Sequence, residues 1–221
     1  MNMKRLLASS RIVIVDDHPL MRDGLALRIS AQADLEVCGE AATEDEAFDL
    51  VKSLSPDVVI IDIALKCGNG IELVKRIRAL NPVVKMLVVS AFQESLYAER
   101  ALRAGAHGYL NKQETNDKVI DAIRTVIKGE RYMSAELTQR MVSQALGKRS
   151  DTQDPVELLT DRELEIFRLI GAGVTTGAIA EQLFLSTHTI DTHRENIKRK
   201  LNAKTGSELS RLAIQSMLEN V

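Results

Sequence analysis

Tryptophan is absent, and aromatic residues make up only 3% of the chain, so its cores must be packed from Leu, Ile, Val, Ala and Met. Cysteine is almost as scarce. Cys38 and Cys67 stand far apart and have no metal-ligand spacing, which excludes a disulfide scaffold and a cysteine zinc site and suits free thiols of a reducing cytosol. No apolar run approaches the ~18 residues of a membrane-spanning helix, so no membrane contact is expected and the location is read as cytoplasmic. Met1 to Arg11 carries basic residues but no long apolar core and no cleavage site, and reads as a short extension rather than a signal peptide. An excess of one charge is missing too: the net charge of −2 gives no global pull towards nucleic acid, so any basic surface must be local. Internal repeats and low-complexity segments are also lacking. What remains, 221 residues at 45% hydrophobic and 27% charged, suits a globular chain of one large or two small domains.

The stretch Asp57-Val58-Val59-Ile60-Ile61-Asp62 organises the first half. An apolar, β-branched run ending in a carboxylate reads as a strand buried on both faces of a parallel sheet. Such sheets bind ligands outside the carboxyl ends of their strands. Asp62 stands there, with Gly68, Asn69 and Gly70 expected to keep the next loop open, although Asp also commonly ends a strand or caps a helix. Arg11 to Asp16 is a second such run, doubled in acid as Asp16-Asp17, and Lys85 to Ser90 a third. Leu35 to Ala41 and Gly108-Tyr109-Leu110 add short strands, the last ending beside Lys112.

Between the strands lie helical patterns. Leu20, Leu25, Leu27 and Ile29 are expected on one helical face, Thr43 with Glu46 opens a helix over 43–54, and others run over 71–80, 94–103 and 115–128. Gly105 and Gly129 are natural C-terminal stops. Strand and helix thus alternate five times, which predicts a doubly wound, five-stranded parallel sheet of flavodoxin-like α/β type with helices on both faces. Asp16, Asp17, Asp62, Ser90 and Lys112 would gather at one edge.

After Ser134 no strand pattern recurs. A helix is expected over 134–146 and a polar, breaker-rich linker over 147–155. A small all-α domain follows. Thr160 and Glu163 form a capping box, Thr176 to Phe184 is a short helix, Ser186 caps a longer one to Lys200, and a last helix covers 205–219. The expected division is 11–130, then 131–155 as helix and linker, then 156–221.

Three carboxylates at one edge form a dense negative site that suits a hard cation such as Mg²⁺, which takes few protein oxygens and leaves a position for a phosphoryl oxygen. Lys112 supplies a point charge, Ser90 a hydroxyl donor, and Asp62 a nucleophile able to form an acyl phosphate. In Asp16-Asp17, Asp62 with Gly70 eight on, Ser90-Ala91, Tyr109 and Lys112, residues 11–130 resemble the receiver domain of bacterial two-component response regulators. The resemblance implies that Asp62 accepts phosphate from a phosphohistidine. It implies Mg²⁺ on Asp17, Asp62 and the Ala64 carbonyl, with Asp16 acting through water, and Ser90 with Tyr109 as a switch pair. Leu65-Lys66 and Lys112-Gln113 depart from the family's usual Met-Pro and Lys-Pro. His18 reads as a surface helix residue rather than a ligand, and apolar Phe92 is expected to slow water attack on the phosphorylated state.

Two short helices, the second carrying a net charge of +2 over 187–201, fit helix-turn-helix geometry. Leu159-Thr160-Asp161-Arg162-Glu163, Ile179-Ala180-Glu181-Gln182-Leu183, Ser186, Thr189-Ile190-Asp191-Thr192-His193, Asn196-Ile197 and Lys200-Leu201 resemble the LuxR-type helix-turn-helix. A receiver joined to that module is the NarL/FixJ family of response regulators, DNA-binding regulators of transcription. The likeness implies that helix 186–200 enters the major groove of double-stranded DNA. Thr192, Arg194 and Asn196 would meet bases or nearby backbone, and Lys198, Arg199 and Lys200 would meet phosphates. Thr175, Thr176 and Thr189 are further expected contacts, and His193 is structural or phosphate-facing. Asp191 stands where many relatives carry Lys, and Gly177 also replaces a usual Lys, so weaker affinity per monomer is expected. The implied partners are a sensor histidine kinase, DNA, a second copy when phosphorylated, and RNA polymerase. Two rivals differ in class: a Mg²⁺-dependent phosphotransferase or phosphohydrolase with an aspartyl nucleophile, and an interaction module that is never phosphorylated.

Overall fold

The computed structural model describes residues 9–65, 68–92, 94–146 and 155–219. Strands β1 (Ser10–Val15), β2 (Leu35–Ala41), β3 (Val58–Ile61), β4 (Lys85–Ser90) and β5 (Gly108–Asn111) pair in parallel in the order β2-β1-β3-β4-β5. Helices α1 (Pro19–Ser30), α2 (Glu44–Leu54), α3 (Gly70–Leu80) and α4 (Glu94–Ala104) connect them, and α5 (Thr115–Ile127) follows β5. On one face Ile12, Ile14, Val58, Ile60, Leu87, Val89 and Leu110 pack with Leu25 and Ile29 of α1 and Val119, Ile123 and Val126 of α5. Alternate residues Val13, Val15, Val59, Ile61, Met86 and Val88 are just as buried and face α2, α3 and α4. Burial on both faces is what selects unbroken Val/Ile runs, each side chain worth about 1.5–3 kcal/mol out of water.

Two expectations are corrected here. Leu20 and Leu27 are 88% and 76% exposed, so the apolar face of α1 is buried Leu25 and Ile29, with Met21 and Ala26 partly buried against the same core. At about 100° per residue, positions 25 and 29 share a side of the helix, whereas 27 points nearly opposite. Nor do the glycines hold the loop after β3 open. Gly70 N–H donates to the Ile63 carbonyl at 3.0 Å, and a Cβ on Gly70 would lie 2.1 Å from the Asp62 carbonyl oxygen. Glycine lets the loop fold back against the strand end. Lys66 and Cys67 lie outside the described residues. Cys38 sits at a register shift in β2, and burial pushes its thiol up.

Beyond α5 the chain turns at Gly129 (φ +84°) and returns to the sheet. Tyr132 N–H donates to the His107 carbonyl at 3.1 Å, and Tyr109 N–H donates to the Tyr132 carbonyl at 2.9 Å, a parallel bridge along β5. Gly108 permits it, since a Cβ there would be 2.8 Å from the Tyr132 oxygen.

Met1–Ser134 and Ala135–Val221 are two compact units. The second holds α6 (Ala135–Ala145), α7 (Asp161–Gly171), α8 (Thr176–Gln182), α9 (Thr187–Lys200) and α10 (Gly206–Glu219). Of the expected linker, residues 147–154 lie outside the described residues, and Pro155 opens a short 3-10 turn to Leu158. The capping box forms at Thr160 as the spacing predicts, with both reciprocal bonds present. Leu164, Phe167, Ile170, Ile179, Ile190, Ile197 and Leu209 form the buried interior. Gly171 brings α7 onto α10, where a Cβ would meet the Ala213 carbonyl oxygen at 2.7 Å.

Candidate functional site

Backbone pairing carries the chemistry to the sheet edge. Asp62 N–H donates to the Val15 carbonyl at 2.8 Å and Asp16 N–H to the Ala41 carbonyl at 3.1 Å, so pairing continues past β3 and β1. The sheet grows outward from β1 in both directions, to β2 on one side and β3 on the other, which makes the crevice between β1 and β3 the topological switch point. Asp16, Asp17 and Asp62 converge there. Lys112, the residue after β5, reaches across with Nζ at 2.7 Å from both Asp16 Oδ2 and Asp62 Oδ2.

Burial and charge compete at this edge. Asp62 is only 3% exposed, and burial pushes its carboxyl above the ordinary range despite Lys112, with the Asp16 charge adding to the rise. Burial alone would lower Lys112, but Asp62 and Asp16 hold it above its usual value. One ammonium thus serves two buried carboxylates and leaves Asp17 without it. Asp17 is 10% exposed, and its Oδ1 is buried with no hydrogen-bond partner among the described residues. Beside it, among the described residues, stands only the exposed ring of His18, and three carboxylates around one lysine still lack positive charge that a cation would supply. Ligand atoms of Asp16, Asp17, His18 and Asp62 all lie within 4.8 Å of one another, so the donor set fits a hard divalent cation such as Mg²⁺. Ala64, whose N–H donates to Asp62 Oδ1 at 3.3 Å, lies beside it. His18 is the N-cap residue of α1, its side chain 67% exposed, yet its Nδ1 stands 2.7 Å from Asp17 Oδ1 and 3.2 Å from Asp16 Oδ1.

Ser90 is fully buried at the end of β4, and its hydroxyl accepts from Phe92 N–H at 3.3 Å. Tyr109 is 1% exposed, and its hydroxyl donates to the Phe92 carbonyl at 2.8 Å. Burial raises that phenol far above its ordinary range. The Phe92 ring stacks on Tyr97 at 4.7 Å. Tyr109 therefore lies inward, holding the loop that leaves Ser90.

The second region is α9. Buried Ile190 and Ile197 set its rotation, which leaves His188, Asp191, Thr192, Glu195 and Arg199 along the exposed ridge. Of the residues expected to meet DNA, Thr192 and Arg199 are on that ridge, Arg199 also donating to Asn196 Oδ1 at 3.1 Å. Thr189 shares a 2.8 Å hydrogen bond with the Ser186 cap, and Arg194, Asn196 and Lys198 are half-buried. Lys198 is paired with both oxygens of Glu195 at 2.9 and 3.1 Å. Lys200 turns away from the ridge, with Nζ 2.5 Å from Oε2 of buried Glu163. There the charge of Lys200 and the Thr160 donors outweigh burial and hold the carboxyl below its ordinary range. His193 Nδ1 is buried without a partner among the described residues, which makes it an inward group. Thr175 caps α8 through Ala178 N–H at 3.3 Å, and Thr176 begins that helix half-buried. His188 is not among the contacts the motif implies, yet its spacing of four and seven residues from Thr192 and Glu195 puts it on the same ridge.

Residues 12–124 match the family described as response regulator receiver domain, and residues 157–213 match bacterial regulatory proteins of the luxR family. Oxygen regulatory protein NreC of Staphylococcus haemolyticus is 37% identical over 213 residues, 94% of this chain and 98% of that protein. A LuxR-family two-component response regulator from Aurantimonas sp. SI85-9A1 superposes with a TM-score of 0.58 at 32% identity, over 63% of this chain and 99% of that one. RcsB from Salmonella enterica serovar Typhimurium, solved on promoter P1flhDC with phosphomimetic BeF3-, superposes at 0.70 over 93% of this chain and 98% of that one. At 22% identity that likeness is one of fold.

Proposed function

The chain belongs to the two-component response regulators that join a receiver to a LuxR-type DNA-binding domain, and from that premise we propose that phosphoryl transfer to Asp62 controls its hold on DNA. The family is one of transcription regulators and not of enzymes. The observation that carries the proposal is Asp62 itself: a buried carboxylate at the switch point, 2.7 Å from a lysine it shares with Asp16.

The donor is the phosphohistidine of a sensor kinase. Asp62 Oδ2 attacks phosphorus; the new O–P bond forms as the P–N bond breaks, and the departing imidazole keeps the electron pair. Asp17, Asp62 and the Ala64 carbonyl would hold Mg²⁺, with Asp16 acting through water, and the bound ion would supply neutralising charge for the transferring group. Lys112 exchanges a carboxylate for a phosphoryl oxygen. Ser90 releases Phe92 N–H and donates its hydroxyl to another, and the Phe92 carbonyl carries that movement to Tyr109.

The phosphorylated protein pairs on DNA half-sites through α9. Exposed Ile214 and Leu218, along a groove with Ser207, Ser210, Arg211 and Gln215, suit α10 to the contact between copies. RNA polymerase is the further partner of the DNA-bound form. No helix among the described residues is long and apolar enough to cross a membrane, and we place the protein in the cytoplasm, with domains at 11–130 and 156–221.

The test is phosphate uptake from a small phosphodonor with Mg²⁺, following mass and oligomeric state together. One phosphate per chain in a single turnover, absent in Asp62→Asn and accompanied by dimerisation, is the expected result. A wild-type chain that takes up no phosphate overturns it.

A further inference from the structure

The turn between Asp62 and Gly70 contains no proline, so contacts must set its shape. Ala64 and Asn69 form an antiparallel bridge, closed one residue further out by the 3.0 Å bond from Gly70 N–H to the Ile63 carbonyl. That register makes Ala64 and Asn69 a non-hydrogen-bonded pair, in which each residue turns its N–H away from the other. The Ala64 N–H donates to Asp62 Oδ1 at 3.3 Å, on the side of the acidic edge. The Asn69 N–H donates the other way, to Oε2 of Glu44 on α2 at 3.1 Å. Glu44 is not needed to cap its own helix. Thr43 accepts Glu46 N–H at 3.3 Å there, and the Glu46 carboxylate accepts Ala42 N–H at 3.0 Å. Arg76 of α3 fixes the Glu44 carboxylate instead, donating to Oε1 at 2.6 Å and to Asp45 at 2.9 Å, with its guanidinium 4.4 Å over the Phe48 ring. Gly68 completes the fit, since a Cβ there would stand 2.5 Å from Glu44 Cβ and Oε2.

We propose that Glu44 is a positioning residue for phosphoryl transfer: through Asn69 it fixes the turn that sets the Ala64 main chain against Asp62. The inference rests on the reading of Asp62 as the phosphate acceptor. A pair of Glu44 and Arg76 alone would only join α2 to α3. The bond to Asn69 extends that pair to the acceptor turn, so one arm of the turn is held by Asp62 and the other by Glu44. The Ala64 main chain is then ordered before an ion or a phosphoryl group arrives, and binding does not have to supply that order.

The experiment measures phosphate uptake by the full chain from acetyl phosphate over a range of Mg²⁺ concentrations. Nuclear magnetic resonance, without the donor, reads the Mg²⁺ dissociation constant and the hydrogen exchange of the Asn69 amide. In Glu44→Ala the dissociation constant and the Mg²⁺ concentration for half-maximal uptake should both rise about 10-fold, with excess Mg²⁺ restoring most of the maximal rate. The Asn69 amide should exchange about 10-fold faster. Glu44→Gln, which keeps an oxygen for the Asn69 N–H, should stay within about 3-fold of wild type in all three. Asp45→Ala, which takes only the exposed carboxylate from Arg76, should change none of them. Uptake and Mg²⁺ affinity unchanged in Glu44→Ala, or reduced equally in Glu44→Ala and Glu44→Gln, overturns the positioning role and leaves Asp62 as the acceptor. A wild-type chain that takes up no phosphate overturns the acceptor and the positioning role together.

Discussion

The acidic edge and α9 place charge by opposite means. At the edge, Asp16, Asp62 and Lys112 come from three different strand ends, are at most 14% exposed, and meet at the lysine Nζ, 2.7 Å from each carboxylate. On α9 the charges come from one helix, and what each does depends on its rotation about the axis. Lys198 and Lys200 are drawn onto Glu195 and Glu163, while Arg199 stands on the ridge. Convergence from separate strands over-determines a site, because moving any group would break a ladder of backbone bonds. A single helix face leaves neighbouring side chains free to choose partners within their own domain.

That difference can be broken most severely at Gly70. A Cβ there meets backbone at 2.1 Å, which cannot give way, so Gly70→Ala should cost the receiver on the order of 3 kcal/mol and abolish phosphate uptake. Urea unfolding with a phosphodonor assay checks both.

Buried charge also makes the receiver sensitive to acid. Burial, followed by the charges of Lys85, Arg131 and Arg78, lowers His107 to about 4, and its Nδ1 accepts from Met86 N–H at 3.3 Å. The unfolded chain takes up that proton near 6.5 and the folded chain does not, so stability falls as pH drops from about 6.5 to about 4, by about 3 kcal/mol in all. His107→Gln should flatten that slope in unfolding curves measured across the window.

Within α9, adjacent cations should separate cleanly. Lys200→Ala should destabilise the C-terminal domain by about 1–2 kcal/mol through loss of the Glu163 pair, leaving the salt dependence of DNA binding unchanged. Arg199→Ala should leave stability within ~0.5 kcal/mol and lower the slope of log K against log salt by about one. Equal slopes for the two variants would remove the distinction between ridge and interior. The smallest effect is expected at Gly177, where a Cβ meets nothing within 4 Å. Gly177→Lys should raise the same slope by about one with little change in fold, up to ~1 kcal/mol of gained helix propensity.

The five-stranded sheet was legible because burial on both faces demands unbroken runs such as Val58–Ile61, and the acidic edge because each run stops in a polar group. Helix caps at Thr43, Thr160 and Ser186 were legible for the same local reason. Rotation was harder to see. Leu20 and Leu27 carry the right residue type on the wrong side of α1, and Lys200 carries the right charge turned inward. Both depend on which side of a helix the core claims, a tertiary property. The return of Tyr132 to β5 left no pattern, since one bridging residue has no period to detect.

That bridge governs where the chain can be divided. β5 is the last strand of its sheet, and without a neighbour it would present free amide and carbonyl groups to any passing strand. The backbone of Tyr132 occupies that margin from His107 to Tyr109, and Ser134 N–H is fastened to Glu94 at 3.1 Å. A receiver cut after Gly129 would carry a sticky border and tend to self-associate into aggregates, whereas one cut after Ser134 keeps its own hem.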